Sequence, residues 1–175
     1  MIIRSLYYVE LLYSKWYIIP EQQNKELWKQ YQSLANDLIS SNKSAAAKSI
    51  IFYANKKQEF LFNNFQSFEY EDCIKRGYSR KSLYHIVRYH LLLQLLNSDS
   101  PFENCMSEEL NSQTVFVKSG TMPLASIQWL MLSLPRELIT LQKDIECNYP
   151  PNIQKCQQIE TQLIHLQNQI MEAKI

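Results

Sequence analysis

Glycine is almost absent from this sequence, since its 175 residues contain only Gly77 and Gly120. Tight β-hairpin turns and phosphate-binding loops both depend on glycine, because glycine adopts left-handed backbone conformations without steric cost. The shortage argues against a hairpin-rich β architecture and against a glycine-rich nucleotide loop. It favours an all-α fold, which we expect to be a compact bundle of about six to eight helices ending in an amphipathic helix.

Groups that bind metals or perform catalysis are scarce and scattered, with three histidines and four cysteines. No C-x-x-C pair occurs, and His85 and His90 are five residues apart, on different faces of a helix. A serine nucleophile elbow is also lacking, and no pair of carboxylates stands out. We therefore predict a protein that is not an enzyme and that carries no metal and no cofactor.

Long uninterrupted apolar runs are missing as well. Residues 1–20 are rich in apolar and aromatic side chains, but Arg4, Glu10 and Lys15 interrupt them. A bilayer span needs about 20 predominantly apolar residues, so we expect no membrane span. The segment also lacks the small-residue cleavage site of a signal peptide. The dispersed cysteines are then expected to be reduced thiols, and the protein to be cytoplasmic.

Charge is balanced overall, at a net +1, but it is unevenly distributed along the chain. The stretch from Cys73 to Ser98 contains five basic residues and no acidic one. A local excess of this kind is typical of a surface that binds an anionic partner. At helical spacing, basic and aromatic residues fall on one face and aliphatic residues on the opposite face. The predicted nucleic-acid-binding residues are Lys75, Arg76, Arg80, Lys81, Tyr84, His85 and Arg88.

The block FEYEDCIKRGYSRKSLYHIV, residues 68–87, resembles a helix-turn-helix. Cys73 matches the small residue of the first helix and Gly77 matches the turn. Leu83 and Ile86 match the aliphatic anchors of the second helix. The text GYSRKSLYHI is also similar to the start of the recognition helix in TetR-type repressors. The resemblance covers 20 of the 175 residues.

This resemblance implies that the start of the second helix approaches base edges in the major groove of DNA, through Arg80, Lys81 and Tyr84. The local chemistry agrees with a turn here, because Gly77 can end one helix in the left-handed conformation and Ser79 can cap the next. Asp72 departs from the motif, since an aliphatic residue usually stands at that place. The acidic residues before the turn, Glu69, Glu71 and Asp72, are expected to be solvated at a helix start.

Apolar residues at helical spacing predict helices through most of the remaining chain, including one over about 5–19 and one that starts at Pro20. A charge-free apolar helix is expected over about 123–134, in a central position or in an interface, and a separate helix is expected to start at Pro135. Residues Thr114–Lys118, TVFVK, are the one convincing strand candidate.

The text NYPP at 148–151 divides a helical domain, residues 1–148, from an amphipathic helix within 152–175. Apolar residues of that helix repeat at intervals of three and four, as in a coiled-coil seam. We expect the helix to pack either on the chain's own domain or on a partner or second copy. The predicted seam consists of Ile159, Leu163, Leu166 and Ile170.

Two functions follow from these patterns. The first is non-enzymatic binding of DNA or RNA by the basic helix, alone or as a small subunit of a nucleoprotein complex. The pI of about 7.6 is low for a nucleic-acid-binding domain. The second is a helical adaptor or assembly scaffold that binds a partner protein, or itself, through its apolar helices, without binding nucleic acid.

Overall fold

A computed structural model describes residues 25–62, 67–98 and 116–172. Six helices lie in these ranges: α1 Lys25–Ser41, α2 Lys43–Glu59, α3 Ser67–Arg76, α4 Arg80–Leu96, α5 Leu124–Asn148 and α6 Ile153–Glu172. One further helical turn covers 116–119, and these ranges contain no strand. The predicted all-α class is confirmed. The helix predicted over 5–19 lies outside the described residues.

Two predicted elements are wrong. Residues 116–118 of the strand candidate belong to a helical turn, which Ser119 closes by donating a hydrogen bond from Oγ to the Phe116 carbonyl, at 2.6 Å. Pro135 does not start a new helix, because it lies inside α5. The apolar face of α5 is buried on both sides of the proline, at Leu134 and Leu138, and this common burial favours one continuous helix.

None of the described helices combines the length with the apolar character that crossing a membrane requires.

Contacts within the chain group the described residues into two compact units, one drawn from residues 1–49 and 146–175 and the other from residues 50–145. In the first unit, α1 packs along α6. Its core is formed by the apolar side chains Tyr31, Leu38, Cys156, Ile159, Leu163 and Leu166. Three residues of the predicted seam thus face α1, and the side chain of Ile170 lies outside the described residues.

Polar contacts fix the start of α6 in this unit. The Asn152 amide donates to the Ser41 carbonyl at 2.9 Å, and the Asn152 side chain accepts a hydrogen bond from the Lys155 amide at 3.0 Å. An N-terminal cap of this kind satisfies a backbone donor that the helix itself leaves free.

An ion pair in the same unit joins α2 to the end of α5, since the Lys48 ammonium and the Glu146 carboxylate lie 3.2 Å apart.

In the second unit, α4 contributes a continuous buried apolar face. Its buried apolar side chains recur at helical spacing, at Leu83, Ile86, Tyr89, Leu92, Leu93 and Leu96. Other buried apolar side chains come from the turn before α4, from the 116–119 turn and from α5, namely Tyr78, Val117, Ile127, Leu134 and Leu138. The Tyr78 hydroxyl donates to the Met122 carbonyl at 3.2 Å, which ties the turn before α4 to the segment before α5.

The α1–α6 contact predicts that alanine substitutions at two neighbouring residues of α6 have very different effects on the free energy of unfolding. Leu163 is 1% exposed and Ile164 is 52% exposed. We expect Leu163→Ala to lower the free energy of unfolding by about 2–5 kcal/mol, because it leaves a cavity in the core of the first unit. Ile164→Ala is the matched control and should change that free energy by less than about 1 kcal/mol. Urea unfolding followed by circular dichroism measures both, and equal losses would contradict this packing.

Candidate functional site

The turn between α3 and α4 has the geometry that the sequence predicted. Gly77 adopts a positive φ of 78°, and its amide donates to the Cys73 carbonyl at 2.9 Å. Ser79 caps α4, since its Oγ accepts a hydrogen bond from the Ser82 amide at 3.1 Å. The Ser79 amide in turn donates to the Leu61 carbonyl at 2.7 Å. The start of α4 is therefore held by its own cap and by a backbone hydrogen bond to Leu61.

Glu69 was expected to be solvated, and this expectation is wrong. Its side chain is only 8% exposed, because the carboxylate turns under the start of α4. Its Oε2 accepts hydrogen bonds from Ser79 Oγ at 2.9 Å and from Ser82 Oγ at 3.2 Å. Its Oε1 lies 3.3 Å from the Lys81 ammonium. Burial by itself raises the pKa of Glu69, but bonds from the two serines and Lys81 outweigh it, so the pKa is lowered.

Asp72, the residue that departs from the helix-turn-helix pattern, binds two of the predicted cations. It accepts from Arg76 Nη1 at 3.1 Å and from Arg80 Nε at 2.8 Å. Burial acts to raise the pKa of Asp72, but the hydrogen bond and charge of Arg80 and the charge of Arg76 outweigh burial, so the pKa is lowered. Nearby, the Nζ atom of the exposed Lys75 lies 3.8 Å from Oε2 of Glu71. Four of the five predicted cations thus have a carboxylate partner on α3.

The remaining predicted residues, Tyr84, His85 and Arg88, are each only partly exposed. Burial lowers the pKa of His85 to about 4, and the charges of Lys57, Arg88 and Lys81 lower it further against the opposing charge of Glu69. His85 is therefore neutral at pH 7. Its buried Nδ1 and the buried Nη2 of Arg88 have no hydrogen-bond partner among the described residues.

A groove of about 370 Å³ brings part of the predicted set together with a cation that the sequence analysis missed. The missed cation is Lys118, whose ammonium lies 4.3 Å from the centre of the Tyr84 ring. It was assigned to a strand, and no local pattern linked it to α4. The residues that line the groove are Asp72, Arg80, Lys81, Tyr84, His85 and Lys118.

A second surface lies on α5, where the charge-free segment was expected to be central or in an interface. Its inner face is buried, as Ile127 shows, but Trp129 is 71% exposed and Leu132 is 76% exposed. Ile139 continues this outer face, which also carries the exposed Arg136. We call these residues, together with Lys143, the outer face of α5. Large apolar side chains grouped in this way are typical of binding surfaces.

Metal ligands are not grouped in the described ranges, which contain no cluster of three or more His, Cys, Asp or Glu side chains able to hold a metal ion. The groove and the outer face of α5 are the two candidate sites described above.

The buried carboxylate of Glu69 generates a prediction about pH. We expect Glu69→Gln to lower the free energy of unfolding by about 1–3 kcal/mol at pH 7, because charged hydrogen bonds at the start of α4 are lost. The folded-state pKa is lowered from the ordinary 4.5, so the carboxylate stabilises the fold above about pH 4.5. That stabilisation disappears as the pH falls through the folded-state pKa, and the difference from the wild type should shrink accordingly.

Urea unfolding between pH 3 and pH 7 measures this difference. The exposed Glu71, on the same helix, provides the control, and Glu71→Gln should leave the free energy of unfolding almost unchanged. A Glu69→Gln variant as stable as the control at pH 7 would contradict the structural role of the carboxylate.

Comparison with known proteins adds no family to these observations. No family model, no curated protein and no solved structure matches the chain.

Proposed function

We propose that this protein is a non-enzymatic helical interaction protein, and that it binds an acidic helix of a partner protein on the outer face of α5. The single observation that carries the proposal is the exposure of Trp129 and Leu132 within α5. Tryptophan is enriched among the residues that dominate binding energy at protein interfaces. Exposure of this size leaves much apolar surface that a partner can remove from water.

The spacing of the outer face suits a helical partner. Residues 129, 132, 136, 139 and 143 follow one another at intervals of three and four, which places them along one side of α5. At 1.5 Å per residue, this row is about 21 Å long. A partner helix that lies along the row can pack its own apolar side chains between Trp129, Leu132 and Ile139.

The charges on this face point to an acidic partner. Arg136 lies between Leu132 and Ile139 along the row, and Lys143 follows one turn later. The row itself contains no acidic residue. An antiparallel second copy would bring two Arg136 side chains close together without a carboxylate between them, which is unfavourable. A helix that carries Asp or Glu beside its apolar stripe would instead pair with both cations.

Nucleic-acid binding by the predicted residues is the second candidate. The exposed Lys75 and Lys81 favour it, because surface ion pairs contribute only about 0–1 kcal/mol and phosphates can replace the carboxylates as partners. Binding to duplex or single-stranded DNA or RNA should then weaken steeply as salt is raised. A double Lys75→Ala/Lys81→Ala variant should lose most of that binding, and equal affinity of variant and wild type would contradict this candidate.

The proposed protein partner can be captured directly from the outer face. A photo-reactive benzoylphenylalanine placed at Leu132 in the full chain should cross-link to one protein in cells that express it. Mass spectrometry should locate the cross-link in an amphipathic helix that carries Asp or Glu. With that purified partner, Trp129→Ala should weaken binding roughly 30-fold, the effect of losing about 2 kcal/mol at an interface hot spot.

Two further variants separate this surface from a general effect. Arg136→Glu should weaken binding of the same partner because it places like charges opposite each other, while Ile164→Ala on α6 should not change it. Cross-links from position 132 that reach only the chain's own residues, or unchanged affinity of Trp129→Ala, would contradict the proposal.

A further inference from the structure

The groove next to α4 carries more positive charge than its acidic neighbours balance. Four cationic side chains lie in or next to the groove, namely Arg76, Arg80, Lys81 and Lys118. The two carboxylates beside them belong to Glu69 and Asp72, so a formal excess of two positive charges remains. Lys57 and Arg88 add to the field, since both lower the pKa of the His85 imidazole in the groove wall. The excess is therefore concentrated around one concave surface.

The cations keep donors available after their internal bonds are made. Arg80 binds Asp72 through Nε, and the other guanidinium nitrogens have further N–H groups. Lys81 has three donors and one carboxylate neighbour, and its side chain is 65% exposed. Lys118 lies over the Tyr84 ring, which holds its ammonium beside the groove. Three separate cationic side chains can thus donate to one ligand.

The wall of the groove also contains a neutral polar group. His85 is uncharged at pH 7, and its buried Nδ1 lacks a hydrogen-bond partner among the described residues. Because the imidazole is neutral, it does not repel the neighbouring cations of the groove, and one of its ring nitrogens can donate a hydrogen bond. Tyr84 adds a hydroxyl and an aromatic face.

We propose that this groove binds a phosphoryl group, held by Arg80, Lys81 and Lys118. A phosphoryl group carries up to two negative charges and three acceptor oxygens, which match the charge excess and the three cationic donors. The volume of about 370 Å³ admits such a group together with part of the molecule that carries it. The site does not include any residue of the outer face of α5, so either proposal can fail without the other.

The same phosphoryl chemistry has two sources: a free phosphate or phosphorylated small molecule, and the backbone of a nucleic acid. The structure favours one phosphoryl group in a concave site over a long duplex contact. Asp72 lines the α3 side of the groove, and its carboxylate would repel a phosphate chain that extended across that helix.

The experiment titrates the full-length protein with inorganic phosphate at low ionic strength and follows backbone amides by two-dimensional NMR. We expect saturable shifts confined to residues 78–88 and 116–121. Lys118→Ala should weaken phosphate binding roughly tenfold, which corresponds to about 1.4 kcal/mol. The matched control is Lys155→Ala, an exposed lysine on α6, and it should bind phosphate like the wild type.

A second arm adds a twelve-nucleotide single-stranded oligonucleotide without a terminal phosphate. If the oligonucleotide competes with phosphate and depends equally on Lys118, the backbone of a nucleic acid is the source. If phosphate binds and the oligonucleotide does not compete, a free phosphoryl group is the source, and both results support the groove. Absence of saturable shifts, or equal weakening by Lys118→Ala and Lys155→Ala, overturns the proposal. Trp129→Ala should bind phosphate normally.

Discussion

The buried contact between the Glu69 carboxylate and the two serines at the start of α4 determines much of the second unit. A carboxylate with 8% exposure is costly unless hydrogen bonds and opposite charge compensate its lost hydration. That compensation comes from Ser79, which caps α4, and from Lys81 and Ser82 in its first turn. The contact therefore joins α3 to the beginning of α4, whose aliphatic face, with Leu83 and Ile86, lies in the core.

The same contact changes the meaning of the basic stretch. Counted along the chain, residues 73–98 carry five positive charges, but in the folded protein the carboxylates of α3 lie beside four of them. Asp72 forms ion pairs with both Arg76 and Arg80, so these charges link the two helices of the helix-turn-helix-like pair. The positive charge that these carboxylates do not balance is concentrated in the groove, where Lys118 lies beside Arg80 and Lys81.

Local chemistry was enough to predict the helical class, the left-handed Gly77 and the Ser79 cap. Each depends on residues within a few positions of one another. The pairing of Glu69 with Lys81 and of Asp72 with Arg80 was missed because the two acids lie just outside the acid-free stretch and meet these cations only across the turn. Lys118 was missed for the same reason at a greater distance, since only the fold brings it to Tyr84. The pair of Asp72 with Arg76 was missed although it lies within α3 at a spacing of four residues, which a helical pattern alone could have indicated. Pro135 was misread because its own preference for a helix start is weaker than the burial of α5 on both sides.

The account depends most on the ionised Glu69 beneath α4. Its carboxyl pKa can be measured directly by following the side-chain carbon resonance of Glu69 in the full-length protein as the pH is lowered. We predict a midpoint below the ordinary glutamate value of 4.5, accompanied by shifts of the Ser79 and Ser82 amides at the same pH. A midpoint at or above 4.5, with those amides unaffected, would show that α3 does not hold α4 through this carboxylate and would contradict the compensation of the basic helix.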